Sequence, residues 1–249
     1  MARIVLTCLI AIYSISLFSQ TNDSVWFIQK HQKMLNWKRA IIVPSIFITA
    51  GVVASTDNEI FDKWEVSEER NELIPKFRTH LDDCIQYAPI VAVYGLNAFG
   101  LKGEHDFANR TVLLIKSELI MMAIVLPLKK ITAVPRPDTG APNSFPSGHT
   151  AEAFAAATFL HKEYGKDHPL ISVLGYSVAT GVGVLRVMNN RHWISDVITS
   201  AGIGILATNI AYLTHQNKWG KRKSKLGTMT FFPSYSRGSY GAYLGLRLK

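Results

Sequence analysis

Apolar residues concentrate in six runs, at residues 40–55, 85–101, 111–128, 150–160, 169–185 and 193–213, each bounded by polar or charged positions. Pro44 and Gly51 lie inside the first, Lys116 and Glu118 interrupt the third, and the fourth is short and rich in Ala and Phe. Some runs fall below the roughly 20 residues needed to cross a bilayer core, a deficit that helix tilt and boundary residues make up. The pattern predicts an all-α transmembrane bundle of about six helices. The polar, acidic stretch 57–83 separates the first two runs. Within it Leu73, Phe77 and Leu81 recur at helical spacing, as do Ile60 and Trp64, which predicts short amphipathic surface helices. Such a segment reads as a solvated connection rather than a lid. After the last run comes a basic cluster, Lys218, Lys221, Arg222, Lys223 and Lys225. Residues 227–249 then alternate in polarity around Ser236-Arg-Gly-Ser, the pattern of a short C-terminal β-hairpin.

The first residues have a separate character. Arg3 precedes apolar positions 4–18, and Ser19 is followed by Gln20-Thr21-Asn22-Asp23, the layout of a secretory signal cleaved near Ser19 or retained as an anchor. Three parts follow: residues 1–19 as signal or anchor, 20–226 as the helical domain, and 227–249 as the tail. With 48% hydrophobic and 18% charged residues and a mean hydropathy of +0.12, the chain lies between soluble proteins and those that are nearly all membrane. Its formal charge of +9 resides at the ends of apolar segments, not on an aromatic-interleaved basic face, so no nucleic-acid partner is expected. Cys8 and Cys84 have no zinc-ligand spacing, and no metal is expected.

Chemistry-bearing residues gather in three short pieces flanking the later runs. Lys129, Arg136 and Arg186 supply cations, the arginines gripping phosphate oxygens in bidentate fashion and the lysine acting as a point charge. Ser147 is placed as a helix N-cap, so the amides of Gly148 and His149 and the helix dipole would face a bound anion. His192 and Asp196, four residues apart, would stack on one helical face, with the carboxylate fixing the imidazole tautomer. His192 is then the better nucleophile. His149, with no carboxylate at such a spacing, is the better acid for the leaving group. Glu152, one turn beyond His149, reads as a surface carboxylate. Lys116 and Glu118, two residues apart, should look toward separate partners inside the bundle.

These residues form Lys-x6-Arg-Pro, Pro-Ser-Gly-His and Arg-x5-His-x3-Asp, in that order, and the pattern resembles the type 2 phosphatidic acid phosphatase superfamily. The resemblance covers about residues 40–213, with Leu185 standing where the family usually has Ser before the arginine. It implies an acid phosphatase/vanadium haloperoxidase-like helical core, a phosphohistidine on His192, leaving-group protonation by His149, and neither metal nor cofactor. Three kinds of relative follow from it: membrane lipid phosphatases, soluble periplasmic acid phosphatases and vanadium haloperoxidases. A membrane phosphatase acting on a lipid phosphomonoester or pyrophosphate is the leading expectation. The candidate substrates are lipid A, polyprenyl pyrophosphate and phosphatidylglycerol phosphate, with lipid A slightly preferred. A transporter with a basic pocket would not need the paired His192 and Asp196.

The secretory layout suggests a bacterial inner membrane with the site facing the periplasm. Lys30, Lys33, Lys38 and Arg39 before the first run and the basic cluster after the last both read as cytoplasmic. Six crossings then place the motif loops outside. A cleaved signal would reverse every span, so either the first segment is retained or one run does not cross.

Overall fold

A computed structural model describes residues 22–56, 63–215, 228–236 and 239–247. The signal-like start and the basic cluster lie outside the described residues. Eight helices follow among the described residues: α1 (Asn22–Ser55), α2 (Lys63–Leu73), α3 (Leu81–Ile85), α4 (Ala88–Ala98), α5 (Phe107–Thr132), α6 (Gly148–Tyr164), α7 (Pro169–Met188) and α8 (Ile194–Leu213). Strands β1 (Thr228–Ser236) and β2 (Ser239–Arg247) pair antiparallel, Ser236 opposite Ser239 and Thr228 opposite Arg247. Five of the six apolar runs lie on α1, α5, α6, α7 and α8, and the second, 85–101, extends from the end of α3 across the shorter α4. Leu73, Phe77 and Leu81 do not share a helix, because α2 ends at Leu73 and α3 starts at Leu81. Pro75 between them cannot donate the amide that would continue α2.

Packing centres on α6, which is enclosed along nearly its whole length. Ala151, Ala153, Ala155, Ala156 and Ala157 are buried in it. Small side chains let backbones approach where helices lack a strong hydrophobic drive to associate. A methyl group on Gly204 of α8 would strike the backbone of Ala151 and Ala155, and one on Gly202 would strike Pro44 and Ile48 of α1. Helices α1, α6 and α8 are therefore locked at close range.

Outward faces are apolar. Ile41, Ile42 and Ile46 on α1, Ile115 and Leu119 on α5, and Leu170, Val173 and Leu174 on α7 are exposed. Helices α5, α7 and α8 are each long and apolar enough to cross a membrane, and shorter apolar helices run at Ala40–Ser55 and Ala88–Ala98. Lipid is the medium that covers such faces without cost, and the chain is a membrane protein.

Polar residues collect at the two ends of the bundle. At the end where α6 and α8 finish, Glu163 accepts from Arg110 Nε at 3.1 Å and from Tyr212 at 2.7 Å, and meets His105 Nδ1 at 2.8 Å. The opposite end carries the motifs.

Candidate active site

Helix polarity brings the three motif pieces together. α5 and α7 finish at this end, delivering Lys129 and Arg186 in their last turns, while α6 and α8 begin there. Ser147 caps α6, its hydroxyl accepting from Thr150 N at 3.4 Å and lying 3.0 Å from Thr150 Oγ1. Gly148 and His149 open the helix, so their amides belong to the unpaired first turn that attracts anions.

His192 departs from the expected geometry. It lies in the turn before α8, with Trp193 as N-cap, so only Asp196 of the pair is helical. The carboxylate reaches back to Trp193 N at 3.1 Å, closing the helix start, and stands 3.5 Å from His192 Nδ1. A third contact is shorter: Ser144 Oγ donates to Asp196 Oδ2 at 2.5 Å and lies 3.4 Å from His192 Nδ1. Nδ1 is thus turned toward Asp196 and Ser144, which leaves Nε2 for chemistry. Burial, partly opposed by Asp196, pulls the His192 imidazole down to about 4, so it is neutral at pH 7.

The loop between α5 and α6 gathers the cations. Lys129 Nζ donates to the carbonyl of Asn143 at 2.8 Å and of Ser144 at 3.4 Å, and Arg136 Nε donates to Asn143 Oδ1 at 2.6 Å. Two adjacent residues therefore connect Lys129, Arg136, Asp196 and His192. Arg186 is buried at the end of α7, its Nη1 2.7 Å from Asp82 Oδ2. Arg136, Arg186, His149 and Asp83 face a cavity of about 490 Å³. His192, 2% exposed, lies under α2 instead, beside Val66 and Arg70. Leu185, one residue before Arg186, is half-buried and offers no hydroxyl.

Residues 63–83 are more than a solvated connection. Arg70 donates to the carbonyl of Met188 through Nη2 at 2.7 Å and Nε at 2.9 Å, and Trp64 meets Trp193 edge-on at 4.7 Å. Asn189 exchanges two hydrogen bonds with the Thr79 backbone, at 2.8 and 3.0 Å. The next two acids enter the site: Asp82 on Arg186, and Asp83 with Oδ1 2.8 Å from His149 Nε2. His149 accordingly has a carboxylate partner, contrary to the expectation from local spacing. Burial and Arg186 lower its pKa while Asp83 acts in the opposite direction. Asp83 in turn is held below the usual carboxylate range by His80, which outweighs desolvation, and by His149.

Asp82, Asp83, Asn143 and Ser144 are the participants that motif spacing missed. The one available signal was an adjacent acid pair directly ahead of an apolar run. Glu152 is also not a surface group: it is buried and faces Glu118 of α5. Lys116 lies near His215, so it and Glu118 do face separate partners.

Known proteins resemble this chain over the segment that carries the motifs. Residues 110–220 match the PAP2 superfamily. The chain is 40% identical over 137 residues to a lipid A 1-phosphatase of Porphyromonas gingivalis, a match covering 55% of this chain and 31% of that protein. It is 24% identical over 268 residues to a PA-phosphatase related-family protein of Dictyostelium discoideum, covering 91% of this chain and 93% of that one. Among solved structures, a transmembrane PAP2 type phosphatidylglycerolphosphate phosphatase from Bacillus subtilis is 18% identical with a TM-score of 0.48, covering 70% of this chain and 94% of that one. Every motif residue from Lys129 to Asp196 falls inside the segment that matches the PAP2 superfamily.

Proposed function

We propose that this chain is a membrane phosphatase that hydrolyses a lipid phosphomonoester or pyrophosphate through a phosphohistidine on His192. The observation that carries the reading is the convergence of two carboxylate-held imidazoles with Lys129, Arg136 and Arg186 at one end of an apolar bundle. Three cations neutralise the equatorial oxygens of a transferring phosphoryl group, the task that dominates such catalysis. The Gly148 and His149 amides at the start of α6 add a fixed positive end.

The reaction divides into two displacements. Neutral His192 attacks phosphorus through Nε2 while His149 gives its proton to the departing alcohol or phosphate oxygen. The P–O bond breaks as the P–N bond forms. Water, deprotonated by His149, then attacks the phosphohistidine, releasing inorganic phosphate and restoring His192. Asp196 orients the nucleophile and Asp83 the acid. Because α2 covers His192, the phosphorus meets Nε2 only as that cover moves aside.

Substrate class follows from location. The site lies at the ends of helices whose outer faces are apolar, where a headgroup meets the cations while its chains remain in lipid. Similarity to a lipid A 1-phosphatase supports lipid A within that class, and Lys30, Lys33, Lys38 and Arg39 ahead of the first run, with the basic cluster after the last, support a periplasm-facing site in an inner membrane. The test is phosphate release from lipid A and from polyprenyl pyrophosphate in detergent micelles against soluble sugar phosphates. Faster release from the lipids supports the reading. A His192→Ala protein retaining activity, or wild type preferring sugar phosphates, would overturn it. Mass spectrometry of lipid A from cells with and without the protein decides the narrower assignment.

A further inference from the structure

The phosphate cavity holds more positive charge than one phosphate requires. Besides Arg136 and Arg186 it is lined by Arg78 and Arg191, so four guanidiniums face about 490 Å³ in which Asp83 is the lining carboxylate. Asp82 offsets Arg186, and Asp138 offsets Arg191 at 3.1 Å. Arg78 is exposed, hydrogen-bonds the carbonyl of its neighbour Phe77, and makes no ion pair among the described residues. A dianionic phosphate on Lys129, Arg136 and Arg186 already fills the motif cradle. Arg78 has no counter-charge among the described residues, and Arg191, paired with Asp138, stands at an unspecified position of the Arg-x5-His motif.

The segments that carry them are joined to each other. Arg78 precedes Thr79, and Arg191 follows Asn189 by two residues. The Thr79 and Asn189 hydrogen bonds, at 2.8 and 3.0 Å, join the two segments side by side on the cavity wall. Asn189 itself is buried and also donates to Asp82 at 3.1 Å, which ties this wall to Arg186. Two guanidiniums lining one cavity suit the planar, bidentate recognition of phosphate oxygens.

We propose that Arg78 and Arg191 form a second anion subsite, taking another phosphate of the same substrate while the motif cations hold the scissile one. This rests on the phosphatase reading for the first site, and it specifies a substrate with two phosphates. They could be joined directly, as in a lipid diphosphate, or spaced across a headgroup. A diphosphate would place its inner phosphate on this wall, where the two arginines would also stabilise it as the leaving group.

Binding to purified protein in detergent micelles, measured by calorimetry, tests this without requiring turnover. The probes are inorganic phosphate, methylenediphosphonate and fructose 1,6-bisphosphate. Wild type should bind one bis-anion about tenfold tighter than inorganic phosphate, and which one identifies the phosphate spacing. Arg78→Ala and Arg78→Glu should abolish that preference while changing inorganic phosphate affinity by less than about threefold. Arg191→Gln should act in the same direction, and a thermal unfolding scan shows whether each variant remains folded. No bis-anion preference in wild type, or a preference that survives Arg78→Glu, would overturn the subsite. Lipid phosphate turnover in the same samples judges the first site separately. Turnover without bis-anion preference defeats the subsite alone; absence of turnover defeats the phosphatase reading.

Discussion

In the proposed mechanism, His149 and His192 are the same side chain given opposite tasks by their surroundings. His192 is enclosed and pulled to about 4, so it enters the reaction neutral. As the proposed acid, His149 must begin protonated, and its pKa lies below the ordinary 6.5 because burial and Arg186 outweigh Asp83. For kcat/KM the free protein therefore needs a pH above the His192 value and below that of His149, which places the optimum on the acid side of neutrality. Asp83→Asn removes a contribution that raises the His149 pKa. The basic limb of the pH profile should move to lower pH, with activity at pH 7 down by about tenfold and the acid limb unmoved. Coincident profiles for wild type and variant would remove Asp83 from the positioning of His149. Burial of neutral His192 has a stability consequence too. Between pH 6.5 and about 4 the unfolded chain binds a proton that the folded one does not, so stability falls as pH is lowered through that window. Ser144→Ala should reduce kcat with little change in KM, by about tenfold, since its loss frees the Asp196 carboxylate that orients His192.

At the scale of elements, what was legible and what was not divides by sequence distance. The six apolar runs appear as helices because a hydrophobic face is a local, periodic signal. Lys129, Arg136, Ser147, Gly148, His149, Arg186, His192 and Asp196 stand out as site candidates in the sequence because each motif is a few residues long. Asp83 meets His149 across 66 residues, and Asp82 meets Arg186 across 104. No spacing rule reaches so far. Polar composition made 57–83 look like a connection, because residues that bind a polar site resemble residues that bind water. Segment 63–83 is held by Arg70 on the Met188 carbonyl and by the edge contact of Trp64 with Trp193. Arg70→Ala deletes charge-assisted bonds whose loss costs on the order of 1–3 kcal/mol locally. Amide exchange should accelerate across α2 and α3 but not in α6, and His192 should become more reactive to diethyl pyrocarbonate. Unchanged exchange in α2 would show that Arg70 does not anchor it.

Across the whole molecule, the two ends of the bundle solve different problems with similar residues. The motif end keeps its charges around a cavity, ready to receive an anion. The far end spends Arg110, Glu163, His105 and Tyr212 on one another: Glu163 and Arg110 have side chains 0% and 1% exposed. Glu163 lies fourteen residues beyond His149 along α6, about 21 Å at 1.5 Å per residue, so the far network should not touch catalysis directly. Its role is structural, and the physics of buried pairs sets the expected cost. Removing the carboxylate alone, by Glu163→Gln, leaves a buried guanidinium without its counter-charge and should destabilise by about 3–5 kcal/mol. Pairing it with Arg110→Met removes the stranded charge. The double variant should then be no less stable than Glu163→Gln alone, despite losing a second polar partner. Phosphate release per folded molecule should match wild type in both, when measured well below their unfolding temperatures. Additive losses in the double variant would mean that the two side chains stabilise the bundle through separate contacts. A fall in kcat for folded Glu163→Gln would mean that the ends are coupled through α6.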